Sequence, residues 1–259
     1  MRIEPTYFQK CLATLLTTVL SAAMLSACGG ASSEIVGLSP TQAVAKACKA
    51  TLGAHGITAA TKVLSKSGPT LHANLSFAGP DTRGDLHYDT GASVQVLSAS
   101  KNLYLKGNVK FWTKTTHGIA IPQAILDRMA GVWLRSSAKS SLASLRKSLL
   151  NYGNPKLVMA FCTAKGNIFS SAGSGEVHGA AVERFTGKVN GDRISLSVAA
   201  SGKPYVLAVS RAGGPESLKT EYSDFGKGLD LSIPKPIFDL EPILKTLLAI
   251  QTMGSVPFG

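Results

Sequence analysis

The chain has 259 residues, 44% of them hydrophobic and 16% charged, with a mean hydropathy of +0.16 and a formal net charge of +12. That apolar content excludes an intrinsically disordered chain and suffices for one sizeable packed domain. The positive charge forms no long Lys/Arg cluster, so nucleic acid is not the expected partner, and a basic exterior suits an anionic lipid surface instead.

The first element is a leader. Arg2 and Lys10 precede an apolar run from Cys11 to Leu25 that ends in small residues, which is the pattern of a secretory signal. The run falls short of the ~20 apolar residues that a membrane-spanning helix needs. Leu25-Ser26-Ala27-Cys28 resembles the bacterial lipobox, in which the cysteine thiol receives a diacylglycerol and the preceding peptide is cleaved. The resemblance implies a signal peptide over 1–27 and Cys28 as the lipidated first residue of the mature chain. It places that chain on the extracytoplasmic face of the cell membrane, since two or three acyl chains give stable anchoring where one does not. With Arg2, Lys10 and Glu4 removed, 232 residues remain, carrying 25 basic and 14 acidic side chains and a net charge of +11.

Of the four cysteines, Cys48 and Cys162 are left once Cys11 is removed and Cys28 acylated. An even pair in an exported chain is expected to form a disulfide. The alternative is two separate buried thiols acting as small hydrophobes.

Gly29 to Leu38 is small and polar and reads as a flexible tether. Ser39-Pro40 then starts a helix carrying Ala43, Val44, Ala47 and Thr51 and ending at Gly53. A second short helix is expected over about Thr58 to Ser65. From Leu71 the apolar period becomes two: Leu71, Ala73, Leu75 and Phe77 alternate with polar residues, and after Gly79-Pro80-Asp81 the pattern resumes with Gly84, Leu86 and Tyr88. Such a hairpin sets Phe77 near Gly84 and Leu75 near Leu86, and puts His72 and His87 on the wet face. Strands Ser93–Ala99 and Asn102–Lys106 follow, joined at Ser100-Lys101.

The middle of the chain is helical. A short helix is expected around Trp112, another after Ile121-Pro122 with Ile125, Leu126 and Met129, and Val132-Trp133-Leu134 is a short strand or part of the crossing. Ser140 caps a helix with Leu142, Leu145 and Leu149 on one stripe, and Asn154-Pro155 starts the next with Leu157, Val158 and Phe161. The last third alternates again over 175–186, 193–199, 205–211, 217–223 and 227–233, with Asn190-Gly191 as a two-residue hairpin signal. Five successive antiparallel strands make a meander. After Pro236, Ile243, Leu244, Leu247, Leu248 and Ile250 give an apolar helix over about 241–253, expected to dock near the helices that cover the sheet, since left in water it would expose a contiguous apolar patch.

The usual catalytic signatures do not occur. There is no Gly-x-Ser-x-Gly elbow, Cys-x-x-Cys, His-x-x-x-His, phosphate-cradling loop or Gly-x-Gly-x-x-Gly, and the five histidines are scattered. Neither an enzymatic activity nor a metal or cofactor is expected.

The order of elements, with "LYLK" at 103–106 shortly before Trp112 and "YSDFGKGLDLSIP" closing the meander at 222–234, resembles the LppX/LprG-like lipoproteins of actinobacteria and, more distantly, the LolA/LolB-like lipoprotein carriers. The resemblance spans about Pro40 to Pro234 and rests on element order more than on any one motif. It implies an α+β fold: a strongly curved antiparallel sheet, or half-barrel, with helices packed in or over its concave face. The corresponding division is 1–27 signal peptide, 28–39 lipidated tether, 40–234 lipid-binding domain and 235–259 C-terminal apolar extension. The extension and the Cys48/Cys162 pair depart from the pattern. The implied function is a membrane-anchored cell-envelope protein that binds or carries a lipid or acylated molecule in an apolar cavity, and the alternative is a non-carrying sensor or interaction scaffold. Leu75, Phe77, Tyr88, Trp112, Leu145, Leu149, Phe161, Leu196, Leu207 and Tyr222 are the residues expected to line such a cavity.

Overall fold

The computed structural model describes residues 33–115, 121–137, 143–163, 166–243 and 245–246. The expected signal peptide, the lipidation at Cys28, Ser140 and Leu142 of the middle helix, and the C-terminal helix beyond 246 lie outside them.

Helix α1 (Pro40–Leu52) starts where the local chemistry dictates. Ser39 and Gln42 form a reciprocal capping box, Pro40 occupies the first turn, and Gly53 follows the last. Its buried stripe of Ala43, Val44, Ala47 and Cys48 lies over the C-terminal half of the sheet. The preceding segment is less free than its composition suggests. Ile35 is buried in the core, Ser33 Oγ donates to the Ala199 carbonyl at 3.3 Å, and Lys46 meets Glu34 at 3.0 Å, so residues 33–38 already pack on the domain ahead of the helix.

Residues 57–65 are a strand, β1 (Ile57–Ser65), and not the expected second helix. Ile57, Ala59, Thr61 and Val63 are inward and buried, a period of two. The alanines favour a helix locally, but β1 sits between two partners and pairs along its length with both, which outweighs weak helix propensity.

Strands β2 (Leu71–Ala78), β3 (Asp81–Tyr88), β4 (Ser93–Ala99) and β5 (Asn102–Gly107) continue as an antiparallel meander. The β2–β3 turn contains only Gly79-Pro80, so Leu75 faces Gly84 and Phe77 faces Thr82. This register is offset by two residues from the expected one, which leaves the same side chains pointing inward. Helices α2 (Val109–Thr115) and α3 (Gln123–Met129), strand β6 (Trp133–Ser137), helices α4 (Ala143–Asn151) and α5 (Pro155–Val158) and a 3-10 turn (Ala160–Thr163) make the middle of the chain. Asn154 caps α5 through its side chain, but Leu157, expected on the apolar stripe, is half exposed.

Five antiparallel strands follow: β7 (Phe169–Val177), β8 (Ala180–Val189), β9 (Asp192–Ala199), β10 (Val206–Ala212) and β11 (Glu216–Ser223). The stretch expected as one strand over 175–186 is divided by a turn at His178-Gly179, where both residues have positive φ. Asn190-Gly191 and Ser100-Lys101 adopt the same left-handed pair, whose twist matches that of the flanking strands.

Together with β12 (Ile237–Asp239), these strands form one open twelve-stranded sheet in the order β12-β6-β5-β4-β3-β2-β1-β11-β10-β9-β8-β7. All pairs are antiparallel except β12 with β6. The sheet does not close on itself, and β12 and β7 are its edges. One face carries the core: Ala59, Leu75, Leu86, Val96, Leu105, Leu134, Leu196 and Val198 are at most 1% exposed and pack with Phe111, Trp112, Met129 and Met159 from the helical elements. A half-barrel with helices over its concave face is therefore the observed architecture.

Residues 227–233, expected as a fifth meander strand, do not form a strand. They run as a strap across the opposite face of the sheet. The Gly226 amide donates to the Gly56 carbonyl at 2.8 Å, and a side chain at Gly56 would overlap the Lys227 carbonyl, so glycine is what permits the crossing. Arg83 binds Asp230 at 2.6 Å, and Leu231 packs on Leu97, Ala99 and Tyr104, a second apolar cluster that also receives Trp133 and Ile237. The outer face is thus dry at this place, where simple alternation predicts it to be wet. The strap ends by joining the edge of β6 as β12, so the sheet extends past Pro234.

Cys48 of α1 and Cys162 of the 3-10 turn form a disulfide, with Cα atoms 6.1 Å apart. It ties the first helix to the last part of the helical middle across 114 residues of sequence.

Candidate functional site

Nine of the ten side chains expected to line a cavity face the concave side. Leu75, Phe77, Trp112, Leu149, Phe161, Leu196 and Tyr222 are buried in the core, and Tyr88 and Leu145 pack against it. Leu207 does not join them. Strand β10 carries a bulge between Val206 and Ala208, so Val206 and Val209 both point inward and Leu207 is the extra residue turned away. Strict alternation, which assigns Leu207 inward, fails at an inserted residue.

Near the middle of the sheet the core contains hydroxyls. Thr61 and Thr220 are hydrogen-bonded to each other at 3.0 Å across β1 and β11, and the buried Tyr222 hydroxyl has no hydrogen-bond partner among the described residues. Burial pushes the Tyr222 phenol well above its ordinary pKa. An unpaired buried hydroxyl retains its desolvation cost, so Tyr222→Phe is expected to leave the fold intact and raise stability by about 1 kcal/mol. Chemical denaturation would check this, and a loss of stability would show that the hydroxyl has a partner such as a bound water.

Polar depressions lie on the outer face. One of about 730 Å³ is bordered by Asp85, His87, Gln95, Lys106, Asn108 and Lys110, and another of about 430 Å³ shares Asp85 and His87 and adds Lys62, His72, Lys219 and Glu221. His72 and His87 are cross-strand neighbours there, as expected of wet-face residues, and His87 Nε2 meets Asp85 at 2.9 Å. Among the described residues no three His, Cys, Asp or Glu side chains converge to hold a metal ion.

Among the described residues an apolar cavity of about 620 Å³ lies elsewhere, at the β6–β12 edge. Its walls follow from periodicity. Ile125, Arg128 and Met129 of α3 stand at helical spacing on one face, and Val132 belongs to the turn that leads into β6. Leu134 of β6 and Phe238 of β12 are register partners on the same face of a parallel pair. Pro242, Ile243 and Thr246 come from the helical turns that begin at Leu240, a residue fully buried in the core. Polar contacts hold this last wall in place: Arg135 makes a bidentate pair with Asp239 at 2.7 and 3.1 Å, and Glu241 accepts from the Ser136 hydroxyl at 3.1 Å and the Ser137 amide at 3.0 Å. The Arg135 guanidinium holds the Asp239 carboxyl below its usual range. None of the ten residues expected to line a cavity borders this one. Sequence reasoning missed it because its outer wall lies beyond Pro234, and the signal available was the apolar spacing of the C-terminal helix together with Met129 and Ile125.

No protein-family model and no curated protein sequence matches the chain. Among solved structures, the lipoprotein LppX of Mycobacterium tuberculosis is similar with a TM-score of 0.50 and 14% identity, over 74% of this chain and 98% of that one. LprF of Mycobacterium bovis is similar with a TM-score of 0.52 and 14% identity, over 75% of this chain and 96% of that one. At such identities the likeness concerns architecture. The half-barrel with helices over its concave face shares its fold with the mycobacterial proteins LppX and LprF.

Proposed function

We propose that the protein is a cell-envelope lipoprotein, anchored through Cys28 to the extracytoplasmic face of the membrane, that binds or carries a hydrophobic molecule and catalyses no reaction. The observation that carries this reading is the apolar cavity at the β6–β12 edge, whose ~620 Å³ falls within the ~300–1,000 Å³ of small-molecule sites. Its apolar walls, the fold shared with LppX and LprF, and the basic surface of the mature chain all support it. The test is mass spectrometry of lipids co-extracted from the natively purified protein. A stoichiometric hydrophobic species is expected, and a protein that carries none through native purification would favour the second reading.

That second reading is a non-carrying scaffold or sensor of the envelope. It draws on the tight packing at the centre of the concave face, where Leu75, Leu86, Leu105 and Trp112 are essentially inaccessible.

The anchor has its own test. Cys28→Ser is expected to move the protein from the detergent phase to the aqueous phase, because no acyl chain remains to offset the solubility of the domain. Among the described residues no helix is long and apolar enough to cross a membrane, so nothing described there would substitute for the chain. Unchanged partitioning of the mutant would refute lipidation at this residue.

A further inference from the structure

The apolar cavity is not uniformly apolar at its rim, and this bears on what fills it. Among the described residues that line it, only Arg128 is charged and only Thr246 carries a hydroxyl. The Thr246 hydroxyl is already used, donating to the Pro242 carbonyl at 2.9 Å. Arg128 differs: the neighbouring Asp127 accepts from Gln123 at 2.8 Å, and among the described residues no carboxylate lies within ion-pair distance of the Arg128 guanidinium. The exposed Arg128 therefore marks the solvent end of a cleft whose inner end is Met129 and Leu134, both nearly inaccessible. Phe238, half exposed, stands at the same opening.

We infer that this cleft takes a fatty acid with a single acyl chain, its carboxylate paired with Arg128 and its chain laid against Met129, Leu134, Phe238 and Ile243. The inference rests on the proposed function and narrows it to a ligand class. A guanidinium fork matches the two oxygens of a carboxylate, and among the described residues no carboxylate at this rim pairs with it. The volume suits a ligand of drug-like size, hence one chain rather than a lipid of two or three chains. The other described walls offer apolar contact, which disfavours a polar or sugar-rich body in the cleft.

The experiment uses the full chain carrying Cys28→Ser, so that no acyl anchor of its own competes, freed of co-purified lipid and titrated calorimetrically with three probes: laurate, dodecanol and lauroyl-lysophosphatidylglycerol. Laurate is expected to bind tightest. Arg128→Gln should weaken laurate about tenfold or more, the scale of a lost charge-assisted hydrogen bond, and leave dodecanol within about twofold. Val132→Trp, which narrows the cleft without touching Arg128, should weaken laurate and dodecanol together. Equal affinity for laurate and dodecanol, with Arg128→Gln silent, would overturn the carboxylate assignment while leaving the proposed function standing. Tighter binding of the lysophospholipid than of laurate would overturn the fatty-acid assignment in favour of a phosphodiester head. Binding of none of the three would sink the ligand class and the cavity's role in the proposed function together.

Discussion

Truncation after Pro234 is expected to lower the unfolding free energy by on the order of 5 kcal/mol, to raise the binding of a hydrophobic dye several-fold, and to promote self-association. The energetic figure comes from the loss of the buried Leu240 and the packed Ile237 and Ile243, each worth about 2 kcal/mol of apolar transfer. The dye would report on Met129 and Leu134, which lose the wall formed by Phe238, Pro242 and Ile243. Self-association follows because removal of β12 bares the backbone of β6, and an unpaired strand edge is a template for another copy. Since a domain of this size has only some 5–15 kcal/mol in hand, the truncated protein should unfold at markedly lower denaturant, and size-exclusion chromatography should show oligomers. A truncated chain with native stability, dye binding and monomeric size would show that residues beyond Pro234 are a dispensable tail, contrary to their place in the sheet.

Removing the disulfide in a Cys48→Ala/Cys162→Ala double mutant is expected to cost about 5 kcal/mol by the chain-entropy argument for a long closed loop, which at a slope near 2 kcal/mol/M lowers the urea midpoint by about 2.5 M. The loop spans 114 residues and contains β1 to β6, so its closure restrains half of the sheet in the unfolded chain. Locally, α1 keeps other attachments. The Thr51 hydroxyl accepts from the Val206 amide at 2.8 Å, and the Thr41 hydroxyl accepts from the Phe169 amide at 3.2 Å. The mutant should therefore stay folded in the absence of denaturant, with its loss visible in the midpoint. A midpoint within about 0.3 M of the native protein's would mean that the denatured chain already keeps α1 near the 3-10 turn, since residual structure in the denatured state is what cancels a loop-entropy gain.

Several parts of this structure were legible from residue order alone because the determining interactions are local. The α1 start is settled by three side chains within one turn, Ser39, Pro40 and Gln42. The hairpins at Ser100-Lys101 and Asn190-Gly191 rest on the left-handed conformations of two residues each. The alternation of β2, β3 and β9 follows from one face being buried, which any half-covered antiparallel sheet imposes. The pairing of Cys48 with Cys162 was expected once Cys11 and Cys28 were assigned to a leader and a lipid anchor, and the disulfide is observed.

What tertiary structure decided is everything for which the local signal was neutral or misleading. Residues 57–65 carry alanines that suit a helix, and only the presence of β2 on one side and β11 on the other makes them a strand. Residues 227–233 alternate as a strand does, but the partner that buries Leu231 is a sheet face, Leu97 and Tyr104, and not a neighbouring backbone. Alternation records that one side of a segment is dry and is silent about what dries it. Leu207 was misplaced because one inserted residue shifts the inward set, and the need for a bulge arises from the fit of β10 against β9. The apolar cleft is the extreme case: α3, β6 and the turns after β12 are brought together by a parallel edge pairing between segments 104 residues apart, Arg135 with Asp239. No periodicity within any one of those segments encodes the meeting, because its energy lies in the contacts between them.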